Sequence, residues 1–228
     1  IKFEFTVEFW QYRVVPQETA PLGRRDRRKL EARRRLMAAA RRIIAERGED
    51  NLRIGDVTEM ADLGFGTFYS HFESKDAIVE AVLTEVLDSA AAAIGARALE
   101  FTDPAETASF SYRRFVRFAR DEPELAGVLV KLVGADALFE NSLLPYARKT
   151  LERGISSGRF HIEDLELCLT SVAAAAFAAI KGVLAGRVGP NADIAGAEMM
   201  LRGFGVDTAS AREISHRQLP ELDLPSTD

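Results

Sequence analysis

Between residues 36 and 204 the apolar side chains recur every three or four positions, and this single periodicity confines the chain to helices. Leu36, Met37, Ala40, Ile43 and Ile44 form a first stripe, Ile54, Val57 and Ala61 a short second one, and Ile78, Val82, Val86, Ala90 and Ala93 a long one. The punctuation agrees. Gly48 follows the first stripe where a left-handed cap belongs, Ser74 precedes the long one as an N-cap, and Asp103-Pro104 pairs a cap with a first-turn proline. The spacing predicts helices near 75–99, 104–120, 124–132, 136–154, 164–186 and 192–204, after three shorter ones. The expected class is all-α with about nine helices.

One segment departs from that rule. Residues 1–9, IKFEFTVEF, alternate apolar and polar side chains as a strand does, but nothing later offers a ladder partner. Three readings stay open: a cloning remnant, an upstream extension, or a strand that pairs with a second copy. A dispensable extension is the expectation, joined by the linker-like PQETAPLG. The expected organisation is therefore 1–22 extension and linker, lone strand or disordered; 23–74 a three-helix domain; 75–206 a helical body; and 207–228 a mostly disordered tail.

Charge divides the chain more sharply than its net −5 implies. Residues 23–47 hold eleven Arg or Lys against three acids, a local +8, while residues 48–228 sum to −12. A basic end on an acidic body fits a protein that meets a polyanion at that end only. The single cysteine, Cys168, lies among leucines, forms no internal disulfide and fits a reducing compartment, so a cytoplasmic protein is expected. The longest uncharged apolar stretch, 167–180, has fourteen residues, too few to span a bilayer, and no membrane partner is expected.

The densest chemistry lies in GFGTFYSHFESK, residues 64–75. At helical pitch Phe65, Phe68 and Phe72 fall on one side and Gly66, Thr67, Ser70 and His71 on the other. Aromatics would hold a very short helix down while small polar residues let it approach a polar surface. With the helix before it and Leu63 plugging the turn, this reads as a helix-turn-helix whose last helix enters the major groove.

Residues 53–78, RIGDVTEMADLGFGTFYSHFESKDAI, resemble the DNA-binding core of the tetracycline-repressor (TetR) family, most densely at Gly66, Thr67, Phe68, Tyr69, His71, Phe72, Ser74 and Lys75. Three positions depart from the family pattern: Arg53 stands for a capping Thr, Asp62 for the turn Gly, and Gly64 for a Ser. Asp62 can still take the left-handed conformation, and Gly is an acceptable cap. By this resemblance Arg53 opens the second helix within the DNA-binding set, Thr67, Tyr69, His71 and Lys75 would bind phosphates, and Gly66, Ser70 and Phe65 would face bases. For Phe65 two readings remain, base contact or apolar anchor. Arg24, Arg25, Arg27, Arg28 and Lys29 would form a flexible arm with sequence-tolerant, salt-sensitive contacts.

The resemblance also implies a body that binds a small molecule and dimerises, so that a homodimer would hold a palindromic operator in double-stranded DNA until an unidentified, small apolar effector releases it. Phe101, Phe110, Tyr112, Phe115, Phe118, Leu129, Leu132, Phe139, Leu143 and Tyr146 are the candidate pocket residues, with Arg113, Arg114 and Arg117 as anchors. Leu169, Val172, Ala173, Ala176, Ile180, Leu184, Met199, Met200 and Phe204 are the candidate dimer face. The alternative is a DNA-binding dimer of the same fold that acts through a protein partner without an effector. No catalytic motif, metal-ligand spacing or cofactor loop appears, so neither an enzyme nor a cofactor is expected.

Overall fold

The computed structural model describes residues 23–98, 100–131 and 141–220, and among them ten α-helices and one 3₁₀ turn but no strand. The alternating segment 1–9, its linker, and the pocket candidates Leu132 and Phe139 lie outside the described residues. The helices are α1 (Arg24–Arg47), α2 (Ile54–Met60), α3 (Phe65–Tyr69), α4 (Lys75–Ala98), α5 (Pro104–Asp121), α6 (Pro123–Leu129), α7 (Leu144–Ser156), α8 (Leu165–Leu184), α9 (Ala192–Gly203) and α10 (Thr208–His216). The 3₁₀ turn, Glu49–Asn51, follows α1.

The first unit closes on one aromatic. Phe68 of α3 is fully buried, its ring centroid 5.5 Å from that of Tyr69 and 5.8 Å from that of Phe72. The surrounding core includes Leu36, Ala40, Ile43 and Ile44 of α1, Val57 of α2, and Ile78 and Val82 of α4. Turning from α2 into α3 requires a left-handed residue, which Asp62 supplies at φ 51°, the one positive φ outside glycine among the described residues. Asp is one of the few side chains that tolerate this conformation. Arg35 of α1 holds it by donating to both the carbonyl and the carboxylate of Asp62, each at 3.3 Å. Ser74 caps α4 by accepting from the Ala77 amide at 3.1 Å.

Two expectations about the ends of the chain are corrected. The basic run expected to be a flexible arm is the first part of α1, with the Arg27 amide already bonded to the Gly23 carbonyl at 3.0 Å. Arg and Lys are good helix formers, no Gly or Pro interrupts them, and Asp26 suits the positive end of the helix dipole. The tail expected to be mostly disordered from 207 instead begins with α10, capped by Asp207, which accepts from the Ser210 amide at 2.9 Å. Ala211, Ile214 and Ser215 bury one face of it against the body.

In the body α5 is the central helix, touching α7, α8, α9 and α10 and burying Phe110, Tyr112, Phe115 and Val116. It carries an ionic clamp inside its packing. Arg113 and Arg117 both donate to the Asp193 carboxylate of α9, at 3.4 and 2.9 Å, and Arg113 also donates to the Arg217 carbonyl at 2.7 Å. Burial pulls the Arg113 guanidinium below its ordinary value, and Asp193 opposes that pull. Helix α8 runs for twenty residues, longer than its uncharged centre, and by length and composition alone would suffice to cross a membrane. It packs here on α5, α7 and α9. The two units meet where Arg41 of α1 pairs with Glu122 at 3.0 Å, at the junction of α5 and α6.

Candidate nucleic-acid interface and effector cavity

Helix α3 turns its polar side outward as its periodicity predicts, with one exception. Gly66, Tyr69 and Ser70 are exposed and Thr67 and His71 half-buried, while Phe72 is buried beside Phe68. Phe65, placed by periodicity on the same apolar side, instead stands 56% exposed, because a five-residue helix reaches the core only through its later residues. The Ser70 hydroxyl donates to the Thr67 carbonyl at 2.7 Å, so its free capacity is that of an acceptor. Arg53 is exposed before α2 and its side chain makes no capping bond.

The basic start of α1 adjoins this surface. Arg24, Arg25, Arg27, Arg28 and Lys29 are all exposed. Partial burial first, and then the positive charges of Lys29 and Arg33, hold the His71 imidazole below its ordinary value. Two residues absent from the sequence reading complete the frame. Arg33 lies 4.4 Å above the Phe72 ring and donates to the His71 carbonyl at 3.4 Å; Glu49 stands 4.0 Å from the Lys75 ammonium. The Lys75 partner is twenty-six positions away in sequence, and no spacing rule could have signalled it.

The body holds a partly open cavity of about 80 Å³ between α4, α5, α7, α8 and α9. Tyr112, Phe115, Leu143 and Tyr146 line it as expected, together with Ile94 of α4. The other pocket candidates sit elsewhere. Phe101 and Phe110 stack on each other at 5.3 Å, Phe118 and Leu129 pack in the core, and Arg113 faces Asp193. Among the lining residues only Ser111, Tyr112, Tyr146 and Thr150 carry a polar side-chain atom. Both tyrosines lie against bare backbone: a Cβ on Gly196 would stand 2.5 Å from the Tyr112 hydroxyl, and one on Gly95 would stand 2.4 Å from the Tyr146 ring.

Most of the residues assigned to a dimer face also line this cavity, and Val172, Met200 and Phe204 line the outer groove between α8 and α9 as well. Leu169, Val172, Ala173, Ala176, Met200 and Phe204 line the cavity, and Ile180 is fully buried within the chain. Leu184 is half-buried, and of that set only Met199, at 62% exposure, stands clear of its own protomer. The outward apolar residues of α8 are Leu167, Ala174 and Ala178; Leu167, with Met199 of α9, also lines a surface groove between the two helices. An alanine-rich helix gives only a weak phase: Glu166, Thr170, Ser171 and Lys181 mark the exposed side of α8, and the alanines leave the edges of its inner face undefined. Cys168 is half-buried at that groove, with burial raising its thiol pKa, as suits a structural thiol.

Residues 36–82 match the model of the tetR family of bacterial regulatory proteins, and residues 103–217 match that of the tetracyclin repressor-like C-terminal domain. Among solved structures, RolR in complex with resorcinol is 36% identical with a TM-score of 0.75, over 86% of this chain and 98% of RolR. RolR without ligand gives a TM-score of 0.74 at the same identity, over 83% of this chain and 99% of RolR. FadR from Bacillus subtilis, in complex with stearoyl-CoA, shares the fold with a TM-score of 0.63 at 17% identity, over 74% of this chain and 97% of FadR. The HTH-type transcriptional regulator YvdT of Bacillus subtilis strain 168, itself uncharacterized, is 38% identical over 58 residues, 24% of this chain and 30% of YvdT's length.

Proposed function

The chain belongs to the tetR family of bacterial regulatory proteins, DNA-binding transcriptional regulators, and from that premise we propose that it is a dimeric repressor released from a palindromic operator by a small, mostly apolar effector. The observation that carries the effector half is the apolar-walled, partly open cavity that reaches Ile94 of α4, the helix whose other end begins at Lys75 beside α3. At about 80 Å³ it is smaller than the roughly 150 Å³ cavity known to admit benzene. A single-ring ligand must therefore widen it, and pushing on Ile94 or on the Tyr146–Gly95 contact moves α4. A ligand that favours the widened form shifts the dimer away from the DNA-binding spacing. RolR, at 36% identity, is solved with resorcinol, so resorcinol and related single-ring phenols are the effectors to try first.

The interface half rests on charge and on an unpartnered apolar face. Thr67, Tyr69, His71 and Lys75 would contact phosphates, with His71 neutral in the free protein and acting as a hydrogen-bonding ring; Ser70 would accept from a base amino group. Leu167, Ala174, Ala178 and Met199 would pair with the same residues of a second copy across α8 and α9, a four-helix contact.

Selection of bound duplexes from a random pool tests the reading. Enrichment of a two-fold symmetric sequence supports it, and failure to retain any duplex at low salt refutes it. Once that site is known, Lys75→Ala is expected to weaken binding to all sequences alike and reduce the salt slope by about one, whereas Ser70→Ala alters the preferred sequence. The cavity has its own test. Ala173→Val, which narrows it without adding a ring that would need the widened form, should leave operator affinity within about three-fold while raising at least ten-fold the effector concentration needed for release, since a small overpacking costs about 1–3 kcal/mol.

A further inference from the structure

We propose that Phe65 reads the 5-methyl group of a thymine, making apolar contact with a base edge the main sequence determinant of α3; this rests on the DNA-binding reading above. Phe65 is 56% exposed at the start of α3, and its neighbour one turn on, Tyr69, is 57% exposed. The neighbours of Phe65 in sequence, Gly64 and Gly66, carry no side chain, and a Cβ on either would meet no other part of the protein within 4 Å beyond its own chain neighbours. Beneath the phenyl group lies Gly55 of α2, where a Cβ would stand 3.6 Å from Phe65 Cζ, so the ring has a backbone platform that fixes its direction.

The occupant follows from the surroundings. Arg53, Ser70 and the cations at the start of α1 are exposed like Phe65, and their charge attracts a polyanion. On the major-groove edges of the four bases, the thymine methyl is the one apolar feature. A phenyl group has no donor or acceptor with which to read anything else there. Ser70, confined to accepting by its bond to the Thr67 carbonyl, adds a polar check on a neighbouring base.

The test replaces thymine by deoxyuracil, which removes the methyl and keeps every hydrogen-bonding atom. In the sequence selected by the native protein, each thymine is changed in turn, symmetrically in both half-sites. At one position per half-site the change should weaken binding about four-fold, and about fifteen-fold when both half-sites are changed, the effect of two buried methyl groups. With Phe65→Ala, whose melting temperature should match the native protein because the ring is exposed, the same change should be silent. Placing 5-methylcytosine where thymine stood should retain more affinity than cytosine for the native protein only. Sensitivity at no thymine, or equal sensitivity in Phe65→Ala, overturns the assignment while leaving operator binding itself intact. Failure to retain any duplex is a different result, and removes the DNA-binding reading on which the assignment stands.

Discussion

Phe68→Ala is expected to abolish retention of any duplex while leaving the body of the protein folded. The side chain is fully buried at the meeting point of α1, α2, α3 and the start of α4, and truncating a buried Phe costs about 3–5 kcal/mol. That is comparable with the whole stability of a domain this small. The remaining contacts between α2 and α3 and the Asp62 turn cannot hold a five-residue helix, since isolated helices of that length do not persist in water. Calorimetry and anisotropy with labelled operator provide the check: an early partial melting step, with binding lowered at least a hundred-fold. Native affinity in this variant would mean that α3 is held by something other than its aromatic anchor.

Asp193→Ala should act at the other end of the molecule. Its carboxylate, 3% exposed, accepts from two α5 arginines, and the Arg113 side chain is itself only 5% exposed. Removing the acid leaves Arg113 charged in a buried site, with the Arg217 carbonyl as its remaining hydrogen-bond partner in this network, which costs about 3–5 kcal/mol. For a chain of this length the melting temperature falls by roughly 6–20 °C. Since Asp193 stands in the first turn of α9, and Arg120 of α5 also holds the Pro190 carbonyl just before it at 3.0 Å, the loss should loosen the α8–α9 face and weaken dimerisation. The double replacement Arg113→Met with Asp193→Leu separates the causes. Replacing both charges by apolar groups should recover most of the stability, because the penalty comes from the orphaned guanidinium. If the single variant melts within 2 °C of the native protein, the clamp contributes nothing that solvent cannot replace.

How far the sequence could be read depended on whether a signal was local. The Ser74 cap, the Asp103 cap and the left-handed Asp62 all follow from side chains interacting with their own backbone neighbours, and each is found in place. The start of α1 misled because five cations among six residues resemble the sticky arm of a nucleic-acid binder, although the same residues favour a helix. For Phe65 two readings stood open because periodicity assumes that a helix is long enough to have a settled inner side, and α3 has five residues. The inner face of α8 was marked only faintly: Glu166, Thr170, Ser171 and Lys181 lie on its exposed side, but the many alanines between them blur where the buried side begins.

The sequence alone determined the helical class, the helix-turn-helix near residue 68 and the family, because these depend on periodicity, capping and a dense local motif. Only the tertiary structure decided that Leu169, Ala176 and Met200 line a cavity within their own chain, that Arg113 answers Asp193 eighty positions away, and that Phe65 stands more than half exposed. The physical reason is the same in each case. Burial is a property of where whole helices come to rest against one another, and an alanine-rich helix or a lone charge contains no record of which neighbour will cover it.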